Sequence, residues 1–336
     1  MRKRLLVELF AAALAAAVTT SCATPPQPAA AHLSAGLYVF LVNARTSDVA
    51  VLDAATLRPI SDAIGVGAVP SDIVLSADGR RGFVVSPSAN TVTVLDTTAA
   101  VALGDPILVG SYPSGLVVSP DGAVIYVAGG ETDDVRAYDT STRRQIGASA
   151  RVGDAPGGVA LSPDGELVYV TSQYRNDVRI LNTRTLSLAA EPIVVGERPN
   201  QIAVSPDGRR VYVANTGSAS ISVIAAAERR VVASAIGVGQ YPHGIAVSRD
   251  GRLVFVANQN SDTVSVIDST ALAVIDTIGV AGAPTSLAVS PDGSRLFVAS
   301  MYADSVTVID TGTRQIVATS ERVGQAPRGI ALGRLR

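Results

Sequence analysis

The chain has 336 residues, 47% of them hydrophobic and only 17% charged, with 30 Gly, 18 Pro, no Trp and a formal net charge of −2. That balance excludes a disordered chain, which needs low hydrophobicity and high net charge, and the length allows two domains or one large repeat domain. His32 and His243 are the only histidines and Cys22 the only cysteine, which excludes a His-rich metal centre, a zinc finger, paired-His haem ligation and internal disulfides. No metal and no cofactor are expected. With no basic block in the chain there is no general drive towards a nucleic-acid backbone, so nucleic acid is a disfavoured partner.

Met1-Arg2-Lys3-Arg4 is a cationic start, and Leu5 to Val18 is an apolar run broken by Glu8. The run is too short to span a bilayer and suits a signal peptide over residues 1–21. Thr19-Thr20-Ser21-Cys22 resembles a bacterial lipobox, in which small residues precede a cysteine that is lipidated and becomes the mature N-terminus; Thr19 stands where that pattern favours Leu or Val. The resemblance implies lipidation at Cys22, a membrane anchor and an extracytoplasmic, cell-envelope location. Residues 22–33, with Pro25, Pro26 and Pro28, read as an extended tether.

From residue 34 to residue 336 the chain is one repeat. Val-Gly-x-x-Pro or a close variant ends at Pro70, Pro113, Pro156, Pro199, Pro242, Pro284 and Pro327, at a spacing of 43 residues with one interval of 42. An aromatic opens a short apolar strand at the same period, at Phe40, Phe83, Tyr126, Tyr169, Tyr212, Phe255 and Phe297. Ser-Pro-Asp-Gly recurs as a turn, with Pro presetting φ and Gly supplying positive φ. One unit read from Pro199 holds four strands: Ile202 to Ser205, Val211 to Ala214, Ile221 to Ile224 and Val231 to Ile236. Four antiparallel strands in such a period predict a propeller blade. The chain enters after the first strand of a unit, at Gly36, and leaves on a first strand, Gly329 to Leu332. The two fragments complete one shared blade, so an all-β, seven-bladed β-propeller closed between its termini is expected.

Tyr212-Val213-Ala214-Asn215 and Phe255-Val256-Ala257-Asn258, with weaker copies at Tyr126, Tyr169 and Phe297, resemble the Tyr-Val-Thr-Asn (YVTN) family of bacterial and archaeal β-propellers. The resemblance covers roughly residues 36–336 and implies an extracytoplasmic propeller. Related seven-bladed propellers include lactonases, lyases and binding scaffolds, one of which binds single-stranded DNA. WD-repeat and quinoprotein propellers are set aside by the missing Trp.

Residues repeated in every blade hold blades together, so function is expected where blades differ. The Val-Gly-x-x-Pro loops and the loops between second and third strands reach one face, the top; the Ser-Pro-Asp-Gly turns lie at the bottom. After each repeat proline stand Ser71, Ser114, Gly157, Asn200, His243, Thr285 and Arg328. Together with the flanking loops, one sector is polar and aromatic: Arg198, Asn200, Tyr241, His243, Asn260, Tyr302 and Arg328. The opposite sector is small and bland. His243 is the candidate general base; Ser71 and Ser114 lack a Gly-x-Ser-x-Gly elbow. Asp53, Asp96, Asp139, Asp268 and Asp310 recur at one blade position, which makes them turn formers. Arg80-Arg81, Arg143-Arg144, Arg209-Arg210 and Arg229-Arg230 map to the bottom, beside acidic residues, as a solvated mixed-charge face. The reading is a monomeric, lipid-anchored scaffold whose top face binds an unknown small molecule or envelope protein. A lactonase- or lyase-type enzyme using the His243 sector is the alternative, and single-stranded nucleic-acid binding a third reading.

Overall fold

In the computed structural model, which describes residues 35–335, seven antiparallel sheets follow one another along the chain. The signal peptide, Cys22 and the tether lie outside the described residues, as does His32. Blade five shows the unit: Pro199–Val204, Arg210–Asn215, Ser220–Ala225 and Arg230–Gly237, each paired with the next. The first strands pack side by side around a central channel. Blade one is the shared blade. Its first strand is the C-terminal Pro327–Leu335, which pairs with Gly36–Asn43, for example Ala331 with Phe40. The same C-terminal strand meets Asp72–Leu75 of blade two, and this closes the ring.

The core is not one mass but an apolar cluster at each of the seven contacts between neighbouring blades. Strand alternation explains it: successive side chains point to opposite faces. In blade five, Val211 and Val213 pack back on Ile180 of blade four, while Tyr212 and Ala214 pack forward on Val254 and Val256 of blade six. The repeated aromatic is the forward-facing residue of every blade, so the second strand has no solvent face.

At the bottom, each turn is held by its own side chains. Ser205 donates to Asp207 at 2.6 Å, and those two side chains accept the N–H groups of Arg210 and Arg209 at 2.9 and 3.0 Å. The recurrent Asp residues likewise accept the N–H groups two and three residues on, as Asp53 does from Ala55 and Thr56. At the top, the residue before every repeat proline is left-handed, with φ between 49° at Tyr112 and 56° at Ala283. Except at Tyr241, where Ala219 offers no acceptor, its N–H is taken by a side chain of the preceding blade's loop, as Asn176 accepts Arg198 at 2.8 Å and Asp304 accepts Ala326 at 2.7 Å. Its carbonyl accepts an N–H from the following blade's loop, as Arg198 does from Thr216 at 3.1 Å. Blade two departs: Pro87 replaces the donor, and a single 3₁₀ turn, Pro87–Ala89, stands there in place of the helix-free loop expected.

The outermost strands are not uniform, and proline is the reason. Blades one, two and four carry Pro59, Pro106 and Pro192 in this region, and their fourth strands shrink to two-residue fragments such as Ile64–Gly65 and Ile193–Val194. Proline has no N–H to give a ladder and is confined to sheet edges. Two of the bottom arginines compensate. Arg143 of blade three donates to the carbonyls of Leu103 and Asp105 in blade two, both at 2.7 Å. Arg229 of blade five donates to Ala189 of blade four at 2.6 Å. These two are therefore ties between blades and not part of a solvated face, as the sequence reading had them. Because each charged hydrogen bond is worth about 1.5–3 kcal/mol at most sites, Arg143→Ala is expected to lower the melting temperature measurably, and Arg144→Ala, exposed beside it, is not. Equal melting temperatures for the two variants would discard the tie.

Candidate functional site

The loop and strand geometry at the top brings the residues after the repeat prolines to the lumen. Except for Ser71, which precedes Asp72–Leu75, they are strand residues and not loop residues: His243 belongs to Pro242–Val247 and Arg328 to Pro327–Leu335. A cavity of about 260 Å³ opens at this end of the channel, walled by Asn200, Tyr241, His243 and Arg328 from the polar sector. Arg198 and Tyr302 stay outside it; Tyr302 is 78% exposed on the rim. Asn260 is also exposed. The sector splits into a channel-facing set and a rim set.

The other wall corrects the expectation of a bland opposite sector. Ser71, Asp72 and Ser114 line the same cavity, and Gln201, Gln259, Thr285 and Met301 complete it. Asp72 sits two residues after its proline, where the other blades read Gly115, Gly158, Gln201, Gly244, Ser286 and Gly329. Glycine is the rule there because neighbouring backbones touch: a Cβ on Gly115 would lie 2.5 Å from the Gly157 carbonyl oxygen. Asp72 and Gln201 break that rule towards larger polar side chains. That register was the available sequence signal, and reading only the residues flanking proline missed it.

Burial shifts the proton affinity of Asp72 and of His243. Burial among the channel walls pushes the Asp72 carboxyl up to about 6, against a single N–H bond from Ile73 at 2.8 Å that favours the anion. Burial also lowers His243, helped by the positive charge of Arg328, although the Thr285 carbonyl opposes the shift. His243 Nδ1 lies 3.0 Å from the Thr285 carbonyl oxygen, so that nitrogen carries the hydrogen and Nε2 of the neutral ring is an acceptor. The hydroxyls divide. Ser114 donates to the Pro156 carbonyl and Thr285 to that of Pro327, each tying its blade to the next. Ser71 Oγ is buried without a partner. No group of His, Cys, Asp and Glu among the described residues is arranged to hold a metal ion. Asp134 and Asp177 are paired with Arg136 and Arg179, each at 3.0 Å.

A larger groove of about 660 Å³ lies between blades seven and one, lined by Arg45, Asp48, Asp62, Asp304 and Arg322. It is shallow and open, and Asp48 and Asp304 are already occupied by Asn43 and the Ala326 N–H. The channel cavity is the better candidate because there the departures from the repeat converge.

The raised Asp72 carboxyl has a consequence for stability. The folded state binds its proton more tightly than the unfolded chain, for which the ordinary value is 3.8. Its contribution is therefore fully present below about pH 4 and is lost as pH rises through about 6. Asp72→Asn is expected to gain about 1–2 kcal/mol over the native protein at pH 7.5, after allowance for solvent in the channel, and almost nothing at pH 4. Thermal melts at the two pH values check this; an equal offset at both would show that Asp72 is not held in this way.

No curated protein matches the chain. Among solved structures, the Kuenenia stuttgartiensis hydrazine synthase is similar with a TM-score of 0.70 at 22% identity, over 79% of this chain and 95% of that one. A functionally unknown protein from Desulfotomaculum acetoxidans DSM 771 gives 0.72 at 20%, over 89% and 99%. A candidate 6-phosphogluconolactonase from Bacteroides uniformis ATCC 8492 gives 0.74 at 14%, over 89% and 100%. At such identities the likeness concerns the fold. The family model for the YNCE-like beta-propeller matches residues 3–333, and with seven four-stranded blades closed through its termini the chain belongs to that family.

Proposed function

We propose that the protein is an exported, lipid-anchored propeller that binds a small polar molecule in the cavity at the top of its channel. The observation that carries this reading is the convergence there of Asn200, Tyr241, His243, Arg328 and Asp72, each a departure from its repeat position. A carboxyl pushed up to about 6 by burial is a cost that folding alone does not require. Binding is favoured over nucleophilic catalysis because Ser114 is committed to a neighbouring blade, and because the backbone, not a carboxylate, orients His243. The lactonase- or lyase-type alternative keeps one supporting observation: Asp72 and His243 line one cavity from blades two and six, as an acid–base pair would.

Asn200→Ala combined with His243→Ala is expected to abolish a low-mass adduct seen by native mass spectrometry of the protein released gently from envelopes, with the melt unchanged. Arg209→Ala with Arg210→Ala, on the bottom, is expected to keep it. The opposite pattern would move the function to the bottom face. For the anchor, Cys22→Ala is expected to leave the membrane fraction or to remain as precursor, since acyl chains contribute about 0.8 kcal/mol per buried CH₂. Mature-sized Cys22→Ala protein in the membrane fraction would refute lipid anchoring.

A further inference from the structure

Arg328 is the one permanent cation among the residues that follow the repeat prolines; the other six positions hold Ser71, Ser114, Gly157, Asn200, His243 and Thr285. It is half-buried on the innermost strand of the shared blade and walls the cavity. Among the described residues its guanidinium enters none of the ion pairs. A guanidinium keeps its charge at any accessible pH and presents a planar fork of donors suited to carboxylate or phosphate. Holding it in a narrow lumen without a partner is unfavourable, and an arriving anion removes that penalty.

We infer that the cavity is a receptor for a small hydroxylated molecule bearing one carboxylate or phosphate group, with the anionic group on Arg328. The inference rests on the binding role proposed above and adds the chemical class of the ligand. The remaining walls suit hydroxyl groups: the amides of Asn200, Gln201 and Gln259 give and accept hydrogen bonds, and His243 Nε2 accepts. The volume of about 260 Å³ is smaller than the sites that take drug-sized ligands, about 300–1,000 Å³. That limits the ligand to a short chain or a single small ring.

The titratable and charged groups facing this lumen are Asp72 from blade two, Tyr241 and His243 from blade six, and Arg328 from blade one. Asp72 and Arg328 occupy neighbouring first strands whose backbones touch, since a Cβ on Gly329 would lie 2.8 Å from Asp72 Cα. When Asp72 is protonated the lumen carries the Arg328 charge unopposed; when it ionises it competes with the ligand's anion. Capture is therefore tighter on the acid side of the Asp72 titration and looser above it.

Calorimetry of the mature full-length protein in detergent with glycerate, glycerol 3-phosphate and glycerol tests this, at pH 5 and pH 7.5. The expected result is binding of at least one of the two acids, no binding of glycerol, and affinity for the acid at least tenfold higher at pH 5. The acid that binds tells carboxylate from phosphate. Arg328→Gln should weaken the acid at least tenfold, Arg328→Lys should retain part of the affinity, and Arg322→Gln, in the outer groove, should change nothing. Asp72→Asn should flatten the pH dependence. Glycerol binding as well as the acids, or acid binding that survives Arg328→Gln, overturns the anion site while leaving a binding cavity. Failure of all three probes in a protein that still carries its native adduct also overturns the anion class and leaves the binding role standing; loss of both removes the two together.

Discussion

Every blade reaches the channel through a left-handed residue, and the ring depends on how that residue is held. A non-glycine residue in this conformation costs about 1–2 kcal/mol, and the chain repeats it seven times, at Val69, Tyr112, Ala155, Arg198, Tyr241, Ala283 and Ala326. The compensation is a pair of hydrogen bonds, one to the blade behind through an Asn, Asp or Ser side chain and one from the blade ahead through a loop N–H. One strained residue thus fixes three neighbours: the loop behind, the first strand it introduces and the loop ahead. The tie is incomplete in two places. Pro87 has no N–H to give Val69, and Ala219 has no acceptor for Tyr241. The first gap lies beside Ser71 and Asp72, the second beside His243, so the two weakened ties flank Asp72 and His243.

A similar trade governs the periphery. Proline shortens the outer strands of three blades and leaves carbonyls without ladder partners. In two of those blades an arginine from the next blade answers them. These arginines are themselves left-handed, Arg143 with φ 59° and Arg229 with φ 50°. Blade seven uses the same position differently, with Arg314 reaching Asp276 of blade six at 3.8 Å. The outer edge and the inner edge are thus both closed by contacts between consecutive blades, and no blade is complete by itself.

The period, the four strands, the Asp turns and the closure through Pro327–Leu335 are all legible in the sequence, because each depends on residues near one another or on a pattern repeated in phase. What was not legible depends on contacts between blades. Arg143 and Arg144 look alike in sequence, and only the carbonyls left free by Pro106 tell them apart. Arg198 and Tyr302 depart from the repeat as clearly as His243 does, yet they stand on the rim, outside the cavity. Asp72 was hidden for another reason. Its charge state follows from burial in a channel that exists only after seven first strands have met.

The division between ring and lumen also explains how such a fold acquires a site. The apolar clusters and the left-handed ties use the second strands and the loop backbones, so the side chains after each proline are free to vary at little cost to the ring. Six of these seven positions line one narrow space and act together. A single cation at Arg328 and a single acid at Asp72 set the potential of the cavity, because charges interact more strongly across a small space partly walled by protein than in bulk water. Blades that keep Ser114 and Thr285 spend their hydroxyls on neighbouring carbonyls and stay structural. His243 keeps such a tie through Nδ1 to the Thr285 carbonyl and still offers Nε2, whereas Asn200 and Arg328 replace the hydroxyl with a group that faces the channel.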